Sequence, residues 1–343
     1  MNATNLPWNI LGHEWAVNLL QQHVTRGYLR HAYLITGPQG IGRRTLAVRL
    51  AQAINCPQPV APGTPCLSCR TCQQIERMQH PDLAVVQAEQ VGGTLKVDQV
   101  RQLQHSLALA PYEARCRIAL LLRFEEAHPS AANALLKTLE EPPGQTILLL
   151  TARDVACLLP TIVSRCELLG LRPLAYARVA QGLQECWEVA PEQAHLLAHL
   201  SGGRPGYARN LLQQPEQLEQ RQTWLEMLYE TLPAPRTQRF ALVETLVKKE
   251  QSKEGVRQML TAWLPFWRDV MLCTAGTRLA LLNIDQEAAI RAIAGALSLE
   301  IARQTLIKIE STLNLLEKNV NTRLALEVLM LDLPRLNVPE VTP

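Results

Sequence analysis

The run Gly37-Pro38-Gln39-Gly40-Ile41-Gly42-Arg43-Arg44-Thr45 has the glycine spacing of a Walker A phosphate loop. In such a loop the last glycine is followed by a lysine that meets phosphate and by a Ser or Thr that holds magnesium. Here Arg43 and Arg44 stand at those two positions. Arginine meets phosphate as a planar fork rather than a compact ammonium, and Arg44 puts a cation where a magnesium ligand belongs. Thr45 does not restore the hydroxyl, because one step along a helix turns a side chain by about 100°. The backbone cradle is kept without its two chemical side chains. That suits a partner of a nucleotide motor better than a motor, or else a loop that is only a strand-to-helix turn.

The second cluster is Cys66-Leu67-Ser68-Cys69-Arg70-Thr71-Cys72, with Cys56 upstream. Four thiolates close a tetrahedral zinc site with no open position, which makes the metal structural. Pro57, Pro59, Pro62, Gly63 and Pro65 surround it. A segment so poor in core residues draws much of its folding energy from the metal. An iron–sulfur cluster is the alternative ligand. Disulfides fit less well, since the other five of the nine cysteines are scattered in apolar or helical surroundings. That usage points to a reducing cytoplasm.

The elements that must position these groups follow from periodicity. Residues 14–26 read as an amphipathic helix with Trp15, Leu19, Leu20 and Val24 on its repeating face. Ala32–Thr36 reads as a buried strand entering the phosphate loop, and 45–54 as the helix leaving it. Leu83–Val86, Ile118–Leu122, Ile147–Thr151 and Cys166–Leu169 are further strands, with helices at 95–109 and 129–140 between them. The alternation predicts an α/β core with a parallel sheet. Strands stop near Pro173; helices are expected at 175–187, 191–200 and 205–213, then throughout to Leu333, with Leu306, Ile309, Leu313 and Leu316 on one face. Boundaries are therefore set at 1–172, 173–214 and 215–343. A net charge of +3 excludes a strongly basic DNA-wrapping protein. No apolar run reaches membrane-spanning length, and Met1 to Leu11 does not read as a signal peptide.

The segment Asn133-Ala134-Leu135-Leu136-Lys137-Thr138-Leu139-Glu140-Glu141-Pro142-Pro143, followed by Ser164-Arg165-Cys166, resembles the AAA+ clamp-loader subunits of bacterial DNA polymerase III, nearest to their delta-prime branch. The cysteine cluster and Asn319–Glu327 agree with it. The resemblance implies an AAA+ core, an all-α lid and an all-α collar. It implies assembly with gamma or tau and delta in a heteropentamer that loads the sliding clamp onto primed DNA. The polymerase reaction then belongs to the holoenzyme and not to this chain. Zinc on Cys56, Cys66, Cys69 and Cys72 is also a family feature.

The same resemblance implies that this chain does not hydrolyse ATP. In active relatives an acidic magnesium box begins eleven residues before the motif asparagine, and that count from Asn133 gives Leu122 and Arg123. Glu125 and Glu126 fall three residues late and are expected as solvated acids near a helix N-terminus. The lid position that carries a phosphate-contacting arginine in relatives is Pro205, beside Arg204. What the family does imply is a catalytic role for Ser164-Arg165, with Arg165 entering a neighbour's ATP site as an arginine finger. The rival reading is an ATP-hydrolysing gamma-like subunit that uses Arg43 and Glu125 or Glu126. A zinc-dependent DNA-binding module leaves residues 133–143 unexplained.

Among the remaining residues, Cys116, Cys157, Cys186 and Cys273 are expected to be packing or incidental rather than reactive, and Cys166 to be buried behind Arg165. His80-Pro81-Asp82 reads as a turn before a strand, and Trp263, Phe266 and Trp267 as packing residues of the last domain. Lys248, Lys249, Arg115, Arg117 and Arg123 are read mainly as solvated helix faces rather than DNA contacts.

Overall fold

The computed structural model describes residues 7–90, 92–248, 253–318 and 320–336. It divides into two compact units. The first runs to Ala194 and takes in Gly203–Ala208; the second takes His195–Gly202 and the chain from Arg209 onward.

The first unit is built on a five-stranded parallel sheet: β1 (Ala32–Thr36), β2 (Leu83–Val86), β3 (Arg117–Leu121), β4 (Thr146–Ala152) and β5 (Glu167–Gly170), ordered β2-β3-β4-β1-β5. Leu34 of β1 sits between Leu150 of β4 and Leu168 of β5. Helices cover both faces, so β1 and β4 are buried at every position, their threonines Thr36, Thr146 and Thr151 included. Tyr33, Ile35, Leu120 and Leu149 face α1 (Glu14–Arg26) and α2 (Arg43–Asn55), where Leu20, Leu46 and Leu50 are buried. The alternate residues Leu34, Leu121, Leu148 and Leu150 join the opposite core, with Leu103 of α4 (Val97–Leu107) and Leu135 and Leu139 of α5 (Pro129–Glu140). The short α3 (Arg70–Glu76) belongs to the cysteine segment, and α6 (Pro160–Val163) leads to β5.

Three expectations change here. Trp15 is 51% exposed, because Ala16, Val17 and Leu20 form the inward face of α1. Arg117 is not on a solvated helix: it lies in β3 and pairs with Asp82 at 3.5 Å. Arg123 follows β3 and pairs with Glu126. The side chain of Lys248 and the whole of Lys249, like Asn319, lie outside the described residues. His80-Pro81-Asp82 does form a turn, and the buried Asp82 carboxylate accepts the backbone N–H groups of Tyr112, Glu113 and Ala114 at 2.7–2.9 Å. Burial alone raises such a carboxyl's pKa; these amides and Arg117 outweigh it and hold the group below the usual range.

After β5 the described residues hold helices only: α7 (Tyr176–Trp187), α8 (Pro191–Leu200), α9 (Pro205–Gln213), α10 (Glu216–Thr231), α11 (Arg236–Lys248), α12 (Lys253–Thr274), α13 (Glu287–Ala296), α14 (Leu299–Glu317) and α15 (Thr322–Asp332). Trp263, Phe266 and Trp267 of α12 are fully buried in the second unit's core with Ile309 and Leu316 of α14. Leu306 and Leu313 pack against that core, as the helical spacing predicts.

One cation closes this unit. The buried Arg239 guanidinium of α11 donates to Thr231, Leu232 and Ala234 O around the end of α10, and to Met330, Leu333 and Pro334 O around the end of α15, all at 2.8–3.1 Å. Helix C-termini leave carbonyls without partners and carry partial negative charge. Arg239 satisfies two such ends at once. Arg239→Met is expected to lower unfolding free energy by at least about 3 kcal/mol, since several buried carbonyls lose their donor. Urea denaturation checks this; a change below about 1 kcal/mol contradicts it.

Candidate functional site: a self-paired phosphate loop, a thiolate cluster and a surface arginine

The glycine-rich loop leaves the C-terminal end of β1, where the sequence places it. Gly37 (φ +143°), Gly40 (φ +80°) and Gly42 (φ +112°) all occupy backbone regions that side chains rarely adopt. A Cβ on Gly37 would stand 2.5 Å from Leu171 O, and one on Gly40 would stand 2.7 Å from Tyr207 Cβ. The start of α9 is fastened to the loop: Tyr207 N donates to Gly40 O at 3.1 Å. Arg204, stacked 4.5 Å above the Tyr207 ring, donates to Gln39 O at 3.4 Å.

Arg43 opens α2, and its side chain turns inward to lie 3.8 Å from Glu125 Oε1; the two side chains are 11% and 14% exposed. Arg44 and Thr45, on the same helical turn, both face solvent. Leu122 is buried at the end of β3. Arg123 takes a left-handed backbone (φ +50°), and a single 3-10 turn over Phe124–Glu126 follows, pinned by buried Phe124. This turn corrects the expectation that Glu125 and Glu126 are solvated. It swings Glu125 back against the loop and lets Glu126 accept Arg123 Nε on both oxygens at 3.0 Å and Gly92 N at 2.9 Å. Burial lowers the pKa of Arg43; Glu125 opposes that, while nearby Arg153 and Arg123 add to it. Arg153 was not singled out in the sequence, although its place just after β4 beside the loop is the signal that marks it.

The four cysteines come together as predicted. Cys56 ends α2, Cys69 caps α3 and Cys72 lies within it. Their sulfurs are all within 4.8 Å of one another, with Cys56–Cys66 at 3.5 Å and Cys56–Cys69 and Cys66–Cys72 at 4.0 Å. Zinc–sulfur bonds of about 2.3 Å in a tetrahedron put sulfurs about 3.8 Å apart, so the donor set fits zinc. The amide N–H groups of Cys66, Cys69 and Cys72 each point at a cluster sulfur at 3.3–3.4 Å. Burial alone raises the Cys66 thiol, but amide donors from Cys69 and Ser68 outweigh it and bring it down to about 6.

Arg165 follows α6 on the surface. Its Nη1 donates to Thr161 O at 2.8 Å and its Nη2 to Glu140 Oε1 at 2.7 Å. Ser164 Oγ donates to Thr161 O at 3.2 Å and lies 3.5 Å from Arg165 Nη1. Cys166 is partly buried at the edge of the core, which pushes its thiol up to about 12.

The β2-β3-β4-β1-β5 order, with a phosphate loop after β1, defines an AAA+ core. The family model "DNA polymerase III, delta subunit" matches residues 12–175, and "DNA polymerase III, delta subunit, C terminal" matches 215–334. The delta′ subunit of Bacillus subtilis DNA polymerase III is 30% identical over 92% of this chain and 94% of that protein. The delta′ subunit of Pseudomonas aeruginosa is 39% identical over 57% of this chain and 60% of that protein. A DNA polymerase III gamma subunit-related structure from Thermotoga maritima aligns over 92% of this chain and 97% of its own, at TM-score 0.48 and 16% identity. The chain belongs to the delta-prime family of DNA polymerase III clamp-loader subunits.

The thiolate cluster predicts about one zinc per chain in colourless protein, by metal analysis. Cys72→Ser, or a strong chelator, is expected to lower the melting temperature of the first unit by several degrees. Stoichiometric iron and sulfide, or no bound metal, contradicts this.

Proposed function

We propose that this chain is a non-hydrolysing subunit of the clamp loader. In this reading it assembles with gamma or tau and delta in a heteropentamer and completes a neighbour's ATP site with Arg165 while the sliding clamp is placed on primed DNA. The observation that carries the non-hydrolysing part is the Arg43–Glu125 pair. The cation at the phosphate-lysine position already has an acid of this chain beside it, at 3.8 Å. The acid nearest the loop is spent on it, and Leu122 and Arg123 offer no magnesium ligand where relatives place one. A nucleotide entering here must displace an internal ion pair with no metal to repay the cost.

The rival gamma-like reading gains one observation, since Glu125 does stand against the loop. It still requires magnesium to settle among Arg43, Arg123 and Arg153, whose mutual repulsion is already felt.

Arg165 suits a role in trans because its exposed head sits at a surface with its orientation fixed. A guanidinium of this kind neutralises charge on a transferring phosphoryl group, an effect of roughly 10³–10⁵ in other systems. In this proposal zinc on Cys56, Cys66, Cys69 and Cys72 is structural, residues 173–214 are the lid and 215–343 the collar. Leu324, Val328 and Leu331, exposed along one face of α15, support an oligomeric collar.

The isolated chain with magnesium and ATP is expected to release no phosphate above background; sustained turnover establishes the rival. In the reconstituted loader, Arg165→Ala is expected to cost the completed site roughly 10³-fold or more in turnover with assembly intact. Normal DNA-stimulated turnover in that variant refutes the finger.

A further inference from the structure

We infer that Glu140 is the positioning residue for Arg165, fixing the guanidinium before the neighbour's nucleotide arrives. This rests on the reading of Arg165 as a finger acting in trans.

Glu140 is the last residue of α5, and Glu141 is its C-cap. Carboxylates there face the negative end of the helix dipole and are disfavoured. Local rules broken in this way mark places where another requirement rules. Across from Glu140, Arg165 Nη2 donates to its Oε1 at 2.7 Å. The pair is half exposed, with Glu140 51% and Arg165 34% accessible, so it contributes little to folding stability. What it contributes is direction.

Arg165 follows a helix of a single turn, and a free arginine there samples many rotamers, a freedom that must be given up to immobilise it. Two independent elements hold its head. The carbonyl of Thr161 in α6 takes Nη1 at 2.8 Å, and the carboxylate ending α5 takes Nη2. Guanidinium has five N–H donors. The contacts to Glu140, Thr161 and the more distant Ser164 Oγ use three, leaving two for a phosphate oxygen. An arginine already aimed reaches the transition state without reorganising, which is where electrostatic catalysis gains.

The test uses the complete reconstituted loader, with DNA-stimulated ATP turnover as readout and assembly checked by gel filtration. Glu140→Ala is expected to lower kcat at least about twofold, less than Arg165→Ala, with KM for ATP unchanged, since positioning acts on the transition state. Glu140→Gln keeps an acceptor oxygen toward Nη2 and is expected to restore most of that loss. The double variant Glu140→Ala/Arg165→Ala is expected to match Arg165→Ala alone, because Glu140 acts only through Arg165. If Arg165→Ala impairs turnover and Glu140→Ala does not, the inference is overturned and the finger stands. If neither matters, the finger itself is wrong. Additive losses in the double variant, or a raised KM with unchanged kcat, assign Glu140 some other task and also overturn it.

Discussion

The requirement that buried charge be matched organises this molecule, and it is clearest at the phosphate loop. Arg43 opens α2 with its side chain turned away from water. An unmatched guanidinium there is costly, and Glu125 is the match. To bring Glu125 across, the chain must stop β3 early, take a left-handed step at Arg123, tuck Phe124 into the core and tighten into a 3-10 turn. The same turn aims Glu126 at Arg123 and at the Gly92 amide, which fixes the segment leading toward α4. The glycine-rich loop thus becomes a packed junction, with its three glycines supplying the backbone turns that only glycine takes easily.

The second unit solves the same problem with other partners. Asp269 of α12 is fully buried and accepts the backbone amides of Leu282 and Asn283, the Asn283 side chain and Arg268. Arg239 meets no carboxylate among the described residues; helix-end carbonyls take its place. Charged groups here act as joints between helices whose apolar faces alone leave their relative register loose, since buried polar groups demand one geometry where hydrophobic contact accepts several.

Much of this was legible in the sequence. β1, β2 and α5 begin and end where the apolar runs and turn residues place them. β3 and β5 shift by one residue and β4 extends by one at each end, because a pattern of period two or an unbroken run marks a strand's middle better than its end. The thiolate cluster was legible because its ligands are close in sequence and of one chemical type. The Glu125 contact was not, since it depends on the tight turn after β3. Nothing in Arg123-Phe124-Glu125-Glu126 announces a left-handed residue, and an acidic pair outside the expected register reads as surface. Glu140 escaped for a related reason: it sits inside a motif whose apolar positions account for the helix, and its partner is 25 positions away. Trp15 shares the helical spacing of Leu19 and Leu20 but stands at the margin of that face, and its small neighbours Ala16 and Val17 hold the buried side.

The Arg239 joint also bears on the order of synthesis. Its acceptors lie on both sides of α11 in sequence: Thr231 to Ala234 before it, and Met330 to Pro334 nearly a hundred residues after it. While a ribosome is still making α12 to α15, the guanidinium has only half its partners and the cavity for it has no far wall. The helices made first must wait, cationic and incompletely packed, for the last turn of α15 to emerge. The first unit carries no such dependence on late residues and is free to fold while the chain is still growing. A nascent chain cut short before Met330 therefore presents a finished sheet beside an unfinished helical unit. The arrival of α15 is thereby registered in the very segment proposed to meet the other subunits.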